Sequence, residues 1–520
     1  MISKLAVQRF LSRELASFDW IKQFSREALE AELNNLDPKP RFTGPFRPYK
    51  HQLAGFLIGL HFPEFLYFLD LATGKTRIPL DLIAYSKLRG EKPRVLALVP
   101  NVANIENWVM EIETHTPALN YVPLVGSSEE RLQLLRRKAD LFIINYAGFA
   151  ALCSTLQVKA DEKRKRKVDE NKLTRVIQGF TGMVLDESTA LMNHSSLIYK
   201  VCNQCAKTVA RRYALTGTPM GRDPQALWAQ FYFIDRGETL GPTLGLFREA
   251  FFTKKRRYWG GFDFTLKPER EKLLHRTLQN RSIYYSEGEC IDLPPKVYAR
   301  RHVTFTKDME AYYSQIKGQL IEARGDYRLV KNAFLQMRQI SSGFLGVVDN
   351  ETGERAQLEF PENPKLEELL EVISEMPVGT KFVVFHEYIW SGARMSAALT
   401  KLGVKHERLW SGQKDPAGAL RRFREQPNCR GLLANNQSGA FGLNLQVANY
   451  AIFYESPTSP LTRTQAEKRI RRPGQKAKRC FYIDLIMRKT YDERILDYLA
   501  EGKDLFDAVV AGKERVKHAA

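Results

Sequence analysis

Residues 69–76 have the sequence LDLATGKT, and this stretch decides the fold of the chain. An apolar run over 65–69 leads into it, and a helical pattern over 78–88 follows it. A buried strand, a tight glycine turn and a helix N-terminus together direct backbone N–H groups and the helix dipole at one point, where phosphate oxygens bind. The stretch therefore predicts a phosphate-binding loop between a strand and a helix.

The side chains at the end of this loop have distinct predicted tasks. We expect Lys75 to reach the β- and γ-phosphates of a nucleotide and the Thr76 hydroxyl to bind Mg²⁺. Leu69 stands where the full pattern has its first glycine, and Ala72 stands where a second glycine is common. Because Gly-Lys-Thr alone also occurs by chance, the motifs further along the chain decide between a nucleotide site and an ordinary turn.

The composition points to a large basic protein. The 520 residues carry a formal net charge of +20, with a pI of about 9.5. The length predicts roughly two to four domains. The positive charge favours a polyanionic partner, nucleic acid first, over a basic enzyme that has no such partner.

The sequence also indicates where the protein works. We find no apolar run of transmembrane length and no signal-like N-terminus. The six cysteines are too few for a disulfide framework in a chain of this length, which is consistent with a reducing compartment. We therefore expect a cytoplasmic, DNA-associated protein. Cys202 and Cys205 form a single CxxC pair on a helical pattern, and we expect core packing there rather than zinc binding.

The chain divides into four predicted parts. These are a helical extension (1–45), a first α/β region (46–240), a mostly helical insertion (241–350) and a second α/β region (351–520). Alternating strands and helices predict a parallel sheet covered on both faces in each α/β region. The candidate strands are 65–69, 95–99, 141–145, 183–185, 213–216, 381–385, 431–434, 450–454 and 479–485.

One segment has a strongly biased composition. Residues 159–167 have the sequence KADEKRKRK, and Lys172 and Arg175 follow. A solvated surface loop or helix is the simpler interpretation of such a charge run. A contact with the DNA backbone is the alternative.

Paired carboxylates follow an apolar strand at Val184-Leu185-Asp186-Glu187-Ser188. At the carboxyl end of a strand beside a phosphate loop, Asp186 is expected to hold Mg²⁺. Glu187 is expected to polarise the attacking water.

A basic stretch near the end of the chain, 465–475, carries a third set of candidates. If it is helical, Arg469 and Arg472 are three residues apart and share a face. Two guanidinium groups aimed at a phosphate would act as arginine fingers. A surface basic patch or a DNA-backbone contact is the alternative, and Arg471 in particular suits that role.

The order of these motifs resembles the superfamily-two helicase-like ATPases, in particular the Swi/Snf type in its compact bacterial or phage form. The matching segments occur in the family's order. They are 47–52 with Gln52, 70–76, 99–111 with Asn107 and Trp108, 144–146, 186–195, 215–228, 335–344, 382–385, 438–445, 465–475 and 489–493.

The resemblance implies a fold and a set of residue roles. It implies two RecA-like lobes, each a parallel sheet flanked by helices, with ATP and Mg²⁺ as ligands and DNA as partner. It implies that Gln52 reads the adenine and that the arginine fingers complete the ATP site when the lobes close. The implied catalytic residues are Lys75, Asp186, Glu187, Arg469 and Arg472. The implied nucleotide-binding residues are Gln52, Ala72, Thr73, Gly74, Lys75, Thr76 and Gly442, and the implied Mg²⁺ ligands are Thr76 and Asp186.

Three functions are consistent with the sequence. The first is an ATP-driven translocase on double-stranded DNA, gripping the backbone with little sequence preference. The second is a strand-separating or branch-migrating helicase, which needs a wedge that the sequence does not reveal. The third is a DNA-binding scaffold that no longer hydrolyses ATP, which the retained catalytic residues argue against.

Overall fold

The computed structural model describes the chain as two compact units. Their residues are 1–291 and 292–520. The described residues are 4–70, 73–158, 164–217, 224–256, 262–290, 293–322, 326–348, 355–413, 415–436, 444–472 and 474–502.

The first unit is built on a parallel sheet of seven strands, in the order β11-β1-β8-β7-β2-β4-β3. All five strands predicted for this region are present, each within two residues of the predicted ends. The sheet strands are β1 (Glu64–Leu69), β2 (Val95–Val99), β3 (Tyr121–Pro123), β4 (Leu141–Asn145), β7 (Gly182–Asp186), β8 (Arg211–Thr216) and β11 (Ser282–Tyr285). Two antiparallel hairpins join the same unit, β5 (Ser154–Val158) with β6 (Arg164–Val168), and β9 (Phe252–Arg256) with β10 (Phe262–Leu266).

Helices cover both faces of this sheet. In β1, Leu66 and Phe68 belong to one hydrophobic core, whereas Phe65, Tyr67 and Leu69 belong to the other. Alternate residues of a strand point to opposite faces, so burial on both faces explains why the strand is a continuous apolar run. The helices are α1 (Lys4–Leu11), α2 (Arg26–Asn34), α3 (Lys50–His61), α4 (Arg77–Leu88), α5 (Val102–His115), α6 (Ser128–Leu134), α7 (Tyr146–Leu152), α8 (Glu170–Ile177), α9 (Leu197–Cys205), α10 (Leu227–Asp235), α11 (Leu244–Phe251), α12 (Glu271–Leu278) and α13 (Glu287–Cys290).

The N-terminal extension is packed onto this unit. Phe10 of α1 lies in one core, and Phe18 and Leu29 lie in the other. The cysteines of α9 also pack inward: Cys202 and Cys205 are fully buried, and burial raises the pKa of both thiols. The prediction of core packing for this pair is confirmed.

The second unit contains a parallel sheet of six strands, in the order β12-β19-β18-β15-β17-β16. The predicted strands are present with ends shifted by at most two residues. The strands are β12 (Lys296–Val303), β15 (Phe382–His386), β16 (His406–Leu409), β17 (Gly431–Asn435), β18 (Tyr450–Phe453) and β19 (Cys480–Met487), with an antiparallel hairpin of β13 (Phe344–Val348) and β14 (Arg355–Glu359). The helices are α14 (Lys307–Glu322), α15 (Tyr327–Ser341), α16 (Pro364–Glu375), α17 (Ile389–Lys401), α18 (Pro416–Glu425), α19 (Pro460–Glu467) and α20 (Tyr491–Ala500). The predicted fold class, two parallel sheets flanked by helices, is confirmed.

Two predictions for the connecting regions need correction. The stretch 241–350, predicted as a mostly helical insertion, also contains strands, and β11 joins the first sheet whereas β12 joins the second. Edge strands tolerate charged and exposed residues, so β12 lacks the apolar run that revealed the central strands. The basic run, predicted as a loop or helix, is a strand where it is described, since Arg164–Val168 pairs with Ser154–Val158. The four domain bounds themselves stay predictions.

Within the described residues, no helix is both long and apolar enough to cross a membrane.

A buried ion pair links two helices of the second unit. The Lys365 ammonium of α16 is fully buried and pairs with the Asp492 carboxylate of α20. Lys365→Met is expected to lower the free energy of unfolding by about 3–5 kcal/mol, because it leaves the Asp492 carboxylate, whose side chain is only 12% exposed, without its cation. Urea unfolding of the full chain measures this loss.

The matched control for this prediction is Lys401→Met, which removes an exposed ammonium from the same unit. It should change stability by no more than about 0.5 kcal/mol. Equal stability of the two variants would contradict the role of the ion pair. Adding Asp492→Asn to Lys365→Met should recover part of the loss, since the unpaired charge is then gone.

Candidate functional site

The predicted site residues of the first unit converge on one edge of its sheet. Lys75 follows β1, Asp186 is the last residue of β7, and Thr216 is the last residue of β8. These three strands are parallel and adjacent, in the order β1-β8-β7. Their carboxyl ends therefore lie side by side, as in other open α/β sheets that bind ligands there.

Side chains of α3 form hydrogen bonds with the backbone of the phosphate loop. The Gln52 amide donates hydrogen bonds to the backbone oxygens of Gly74, at 3.0 Å, and Thr73, at 3.4 Å. The Thr73 hydroxyl donates to the Asp70 carbonyl at 2.7 Å. Thr76 precedes the first turn of α4, and its hydroxyl makes no capping hydrogen bond there. Gln52, predicted to read the adenine, is thus in direct contact with the loop.

His51 is a loop contact to which the sequence analysis gave no role. Its Nε2 lies 2.8 Å from the Thr73 carbonyl oxygen, and burial lowers its pKa to about 4. The imidazole is therefore neutral at physiological pH, with Nε2–H as the donor to the carbonyl. Two neighbouring side chains of α3 thus fix the loop backbone.

Lys75 and Glu187 are brought together by the fold. The Lys75 ammonium forms an ion pair with the Glu187 carboxylate. The Thr216 hydroxyl donates to the other oxygen of that carboxylate at 3.2 Å. Glu187 has a φ of 55°, in the left-handed region that non-glycine residues seldom adopt. Strained backbone of this kind is concentrated at functional sites.

Asp186 is buried, and only one of its two carboxylate oxygens accepts a hydrogen bond. The Trp108 indole N–H donates to Asp186 Oδ2 at 2.9 Å, and the Tyr146 hydroxyl donates to the Asp186 carbonyl at 2.9 Å. Asp186 Oδ1 is buried without a hydrogen bond, and burial is the largest cause of the raised pKa of this carboxyl. A buried carboxylate oxygen that lacks a donor suits a divalent cation, so Asp186 and Thr76 fit the predicted Mg²⁺ site.

The second unit places its predicted arginines differently from the expectation. Helix α19 ends at Glu467, so Arg469 lies in the turn that follows and Arg472 in a bend. The prediction that both occupy one helix face is wrong. Arg472 precedes Pro473 in the sequence, and the residue before a proline is biased away from helical backbone. The Arg471 guanidinium donates to the Pro294 carbonyl at 2.6 Å, which gives it a structural contact.

Arg463 is a buried anchor that the sequence analysis missed. Its guanidinium forms ion pairs with Asp484 of β19 and with Glu467 of its own helix, and it lies 3.5 Å from the centroid of the Phe453 ring. These contacts raise the pKa of Arg463 despite its burial. They fix α19, and with it the turn of Arg469, onto the second sheet. The i, i+4 spacing from Glu467 was the available sequence signal.

Other predicted site residues lie outside the described part of the chain. These are Ala72 and Gly442, and Thr218 and Pro219 of the matching segment 215–228 lie outside it as well.

The fold and the first site define a nucleotide-binding α/β protein built on two parallel sheets, with a phosphate loop and paired carboxylates at the carboxyl edge of the first. The chain belongs to the SNF2-related family. The SNF2-related domain matches residues 65–360, more than half of the chain, and the helicase conserved C-terminal domain matches residues 364–474. The resemblance to Swi/Snf-type ATPases is confirmed.

Curated relatives match most of the chain at low identity. A putative ATP-dependent helicase/translocase of Bacillus subtilis, YwqA, is 22% identical over 493 residues, 91% of this chain and 49% of that protein. The ISWI chromatin-remodeling complex ATPase ISW1 of Saccharomyces cerevisiae is 22% identical over 484 residues, 88% of this chain and 40% of that protein. The chain thus spans half or less of the length of these relatives.

Among solved structures, the chain resembles the Sulfolobus solfataricus SWI2/SNF2 ATPase core in complex with dsDNA. The identity is 19%, and the match covers 90% of this chain and 94% of that chain, with a TM-score of 0.38.

The contact between Gln52 and the phosphate loop makes Gly74 sensitive to substitution. Gly74 has a φ of +72°, and a Cβ there would lie 2.5 Å from Gln52 Nε2. Gly74→Ala is expected to cost about 1–2 kcal/mol of stability from the backbone alone. It should also lower ATP affinity about tenfold, because it displaces the Gln52 hydrogen bond that shapes the loop. Calorimetric titration with a non-hydrolysable ATP analogue measures the affinity.

Gly90→Ala is the control for this prediction. Gly90 has a φ of +80°, and a Cβ there would meet nothing within 4 Å. It carries the same backbone penalty without a contact to the loop. Equal ATP affinity in the two alanine variants would rule out the proposed effect through Gln52.

Proposed function

We propose that this chain hydrolyses ATP and uses the energy to move along double-stranded DNA. The observation that carries the proposal is the grouping of Lys75, Asp186 and Glu187 at one sheet edge, in a chain that joins an SNF2-related domain to a helicase C-terminal domain. The retained lysine and carboxylates argue against a scaffold that has lost hydrolysis.

The chemistry follows from the positions of these side chains. Lys75 now neutralises Glu187, and a bound nucleotide would offer its phosphates to the ammonium instead. Glu187, released from Lys75 and still held by the Thr216 hydroxyl, would then orient the attacking water. Asp186 and Thr76 would hold Mg²⁺, which offsets the phosphate charge. Trp108 and Tyr146 fix Asp186 in place for that task.

The second unit supplies the proposed arginine fingers. Arg469 and Arg472 lie within residues 364–474, the segment that the helicase conserved C-terminal domain matches. A guanidinium offers a rigid fork of donors to phosphate oxygens and stays charged at all relevant pH values. We assign both residues to the charge that develops on the transferring phosphoryl group.

Double-stranded DNA is the proposed track. The net charge of +20 provides a general attraction to the phosphate backbone. The similar B. subtilis protein carries the name helicase/translocase, and several other similar proteins are named as chromatin-remodeling factors. Movement along a duplex requires backbone contacts rather than base contacts, so we expect little sequence preference.

The deciding experiment measures ATP hydrolysis by the purified protein without nucleic acid, with single strands and with blunt duplex, each at two salt concentrations. We expect strong stimulation by duplex that falls as salt rises, because backbone contacts release counterions. Displacement of a triplex-forming strand from the duplex then tests movement itself. Glu187→Gln, purified in parallel, is the control: any hydrolysis that remains in this variant measures the activity of contaminating ATPases.

Two results would overturn the proposal. Stimulation by single strands alone, together with unwinding of forked substrates, would assign the strand-separating or branch-migrating helicase function. An absence of hydrolysis under every condition would assign the scaffold function.

A further inference from the structure

The hairpin of β9 and β10 is tied to the same edge of the first sheet as the nucleotide site. Ser188, next to the paired carboxylates, donates to Gln230 of α10 at 2.7 Å, so α10 starts at this edge. Just before α10, Gln225 accepts a hydrogen bond from Arg248 Nε at 2.6 Å. The Arg248 guanidinium in turn lies 4.3 Å from the centroid of the Phe264 ring in β10. A chain of direct contacts therefore fixes the hairpin relative to the site.

The hairpin base is packed and the rest is exposed. Phe252 is buried at the start of β9, opposite Leu266 at the end of β10. The following residues of β9, Thr253 to Arg256, are all exposed. The strands thus extend from the protein core with most of their side chains in solvent.

Cationic and aromatic side chains share one face of this hairpin. The strand register places Lys254 opposite Phe264, and Arg256 opposite Phe262. Alternate residues share a face, so these four side chains lie on the same side, whereas Lys255 and Asp263 face the other way. The Lys254 ammonium lies 3.6 Å from the centroid of the Phe262 ring, which is 47% exposed. The ring thus holds one of the two cations in a defined position.

We propose that this face, defined by Lys254, Arg256 and Phe262, is a binding site for the phosphate backbone of double-stranded DNA. This proposal rests on the proposed function, and it assigns one DNA-binding site to the first unit. Two cations on one face of an exposed hairpin, tied by side-chain contacts to the edge that carries the nucleotide site, complement the negative charge of a phosphate backbone.

The structure favours backbone binding over base stacking. A base that stacks needs a free aromatic face, and the Lys254 ammonium already occupies one face of the Phe262 ring. The ring therefore serves to position a cation. This distinguishes the hairpin from the strand-separating wedge of a helicase, which would present its aromatic ring to a base.

The test compares duplex binding by two double variants of the full-length protein. The hairpin variant is Lys254→Ala/Arg256→Ala. The control, Arg89→Ala/Lys92→Ala, removes the same charge from exposed residues between α4 and β2, at the opposite, amino edge of the same sheet. Fluorescence anisotropy with a blunt duplex gives affinity as a function of salt, and circular dichroism confirms that each variant is folded. ATP hydrolysis without DNA checks the nucleotide site.

The hairpin variant should lose about two units of the slope of log K against log salt and bind duplex at least about tenfold more weakly at low salt, with unchanged basal hydrolysis. The control should lose much less. Equal affinities of the two variants would overturn the hairpin site while leaving the proposed function intact. If the unaltered protein itself does not bind duplex, the proposed function fails as well.

A third variant, Phe262→Ala, separates the two modes of binding. Backbone binding predicts a modest loss for duplex and for single strands alike, because only the position of Lys254 changes. A loss confined to single strands would show that the ring stacks on bases and would overturn the assignment to duplex DNA.

Discussion

Glu187→Gln is expected to lower kcat for ATP hydrolysis by about 10²–10⁴-fold, with ATP and DNA affinity close to those of the unaltered protein. The amide keeps the size of the side chain, but it no longer attracts a proton from the attacking water. The Thr216 hydroxyl still has an oxygen to which it donates, so the local structure is kept. Steady-state hydrolysis with saturating duplex, together with analogue binding, measures the two quantities separately.

The control for this substitution is Glu91→Gln, the same change at a partly exposed carboxylate that forms surface ion pairs with Arg89 and Arg211. It should leave kcat unchanged. Unaltered hydrolysis by Glu187→Gln would remove Glu187 from the site. Lys75→Ala should also abolish turnover while DNA binding persists. Lys75 is the one lysine in residues 69–76, so the variant loop has no ammonium to bind the phosphates. Combining it with Glu187→Gln should cost little more than either change alone, since the two residues act as a unit.

Arg472→Ala is expected to lower kcat by about 10³-fold or more, the range known for arginine fingers, with little change in ATP affinity in the ground state. The reason is that the guanidinium interacts most strongly with the charge that develops on the transferring phosphoryl group in the transition state. Arg469→Ala should behave in the same way. Single-turnover hydrolysis with duplex present measures the chemical step directly.

Two further variants make this second prediction specific. Lys478→Ala removes an exposed cation from the same unit and should leave kcat unchanged. Arg472→Lys keeps the charge but loses the fork of donors, so intermediate activity is expected. If Arg472→Ala instead weakened only DNA binding, with normal kcat at saturating duplex, the residue would belong to the alternative class of backbone contacts.

The sequence predicted the central strands and the nucleotide site well because both depend on local patterns. β2 and β4 have the predicted ends, since a short apolar run bounded by polar residues is enough to mark a strand buried on both faces. Asp186 and Glu187 were identified because they end and directly follow such a strand, and Lys75 because it belongs to the glycine loop after β1. Parallel neighbours then place these ends at one edge of the sheet.

The failures have equally specific causes. The helix expected over Arg469 and Arg472 ends at Glu467, and Pro473 in the sequence opposes helical backbone at Arg472. The edge strand β12 and the hairpins β5–β6 and β9–β10 of the first unit lack apolar runs, because many of their side chains are exposed or charged. Exposed strands of this kind are stabilised by backbone hydrogen bonds to a neighbouring strand. The residue types of the strand itself do not reveal that pairing.

What the sequence alone determined is therefore the class of the protein and the identity of its chemical groups. A phosphate loop, a carboxylate pair and basic motifs in a fixed order are local features, readable within a few residues. The tertiary structure decided which groups meet. Trp108 donates to Asp186 across 78 residues of chain, and Lys75 pairs with Glu187 across 112. Contacts at such separations depend on strand order and on the packing of helices over the sheet, which no short stretch of sequence specifies.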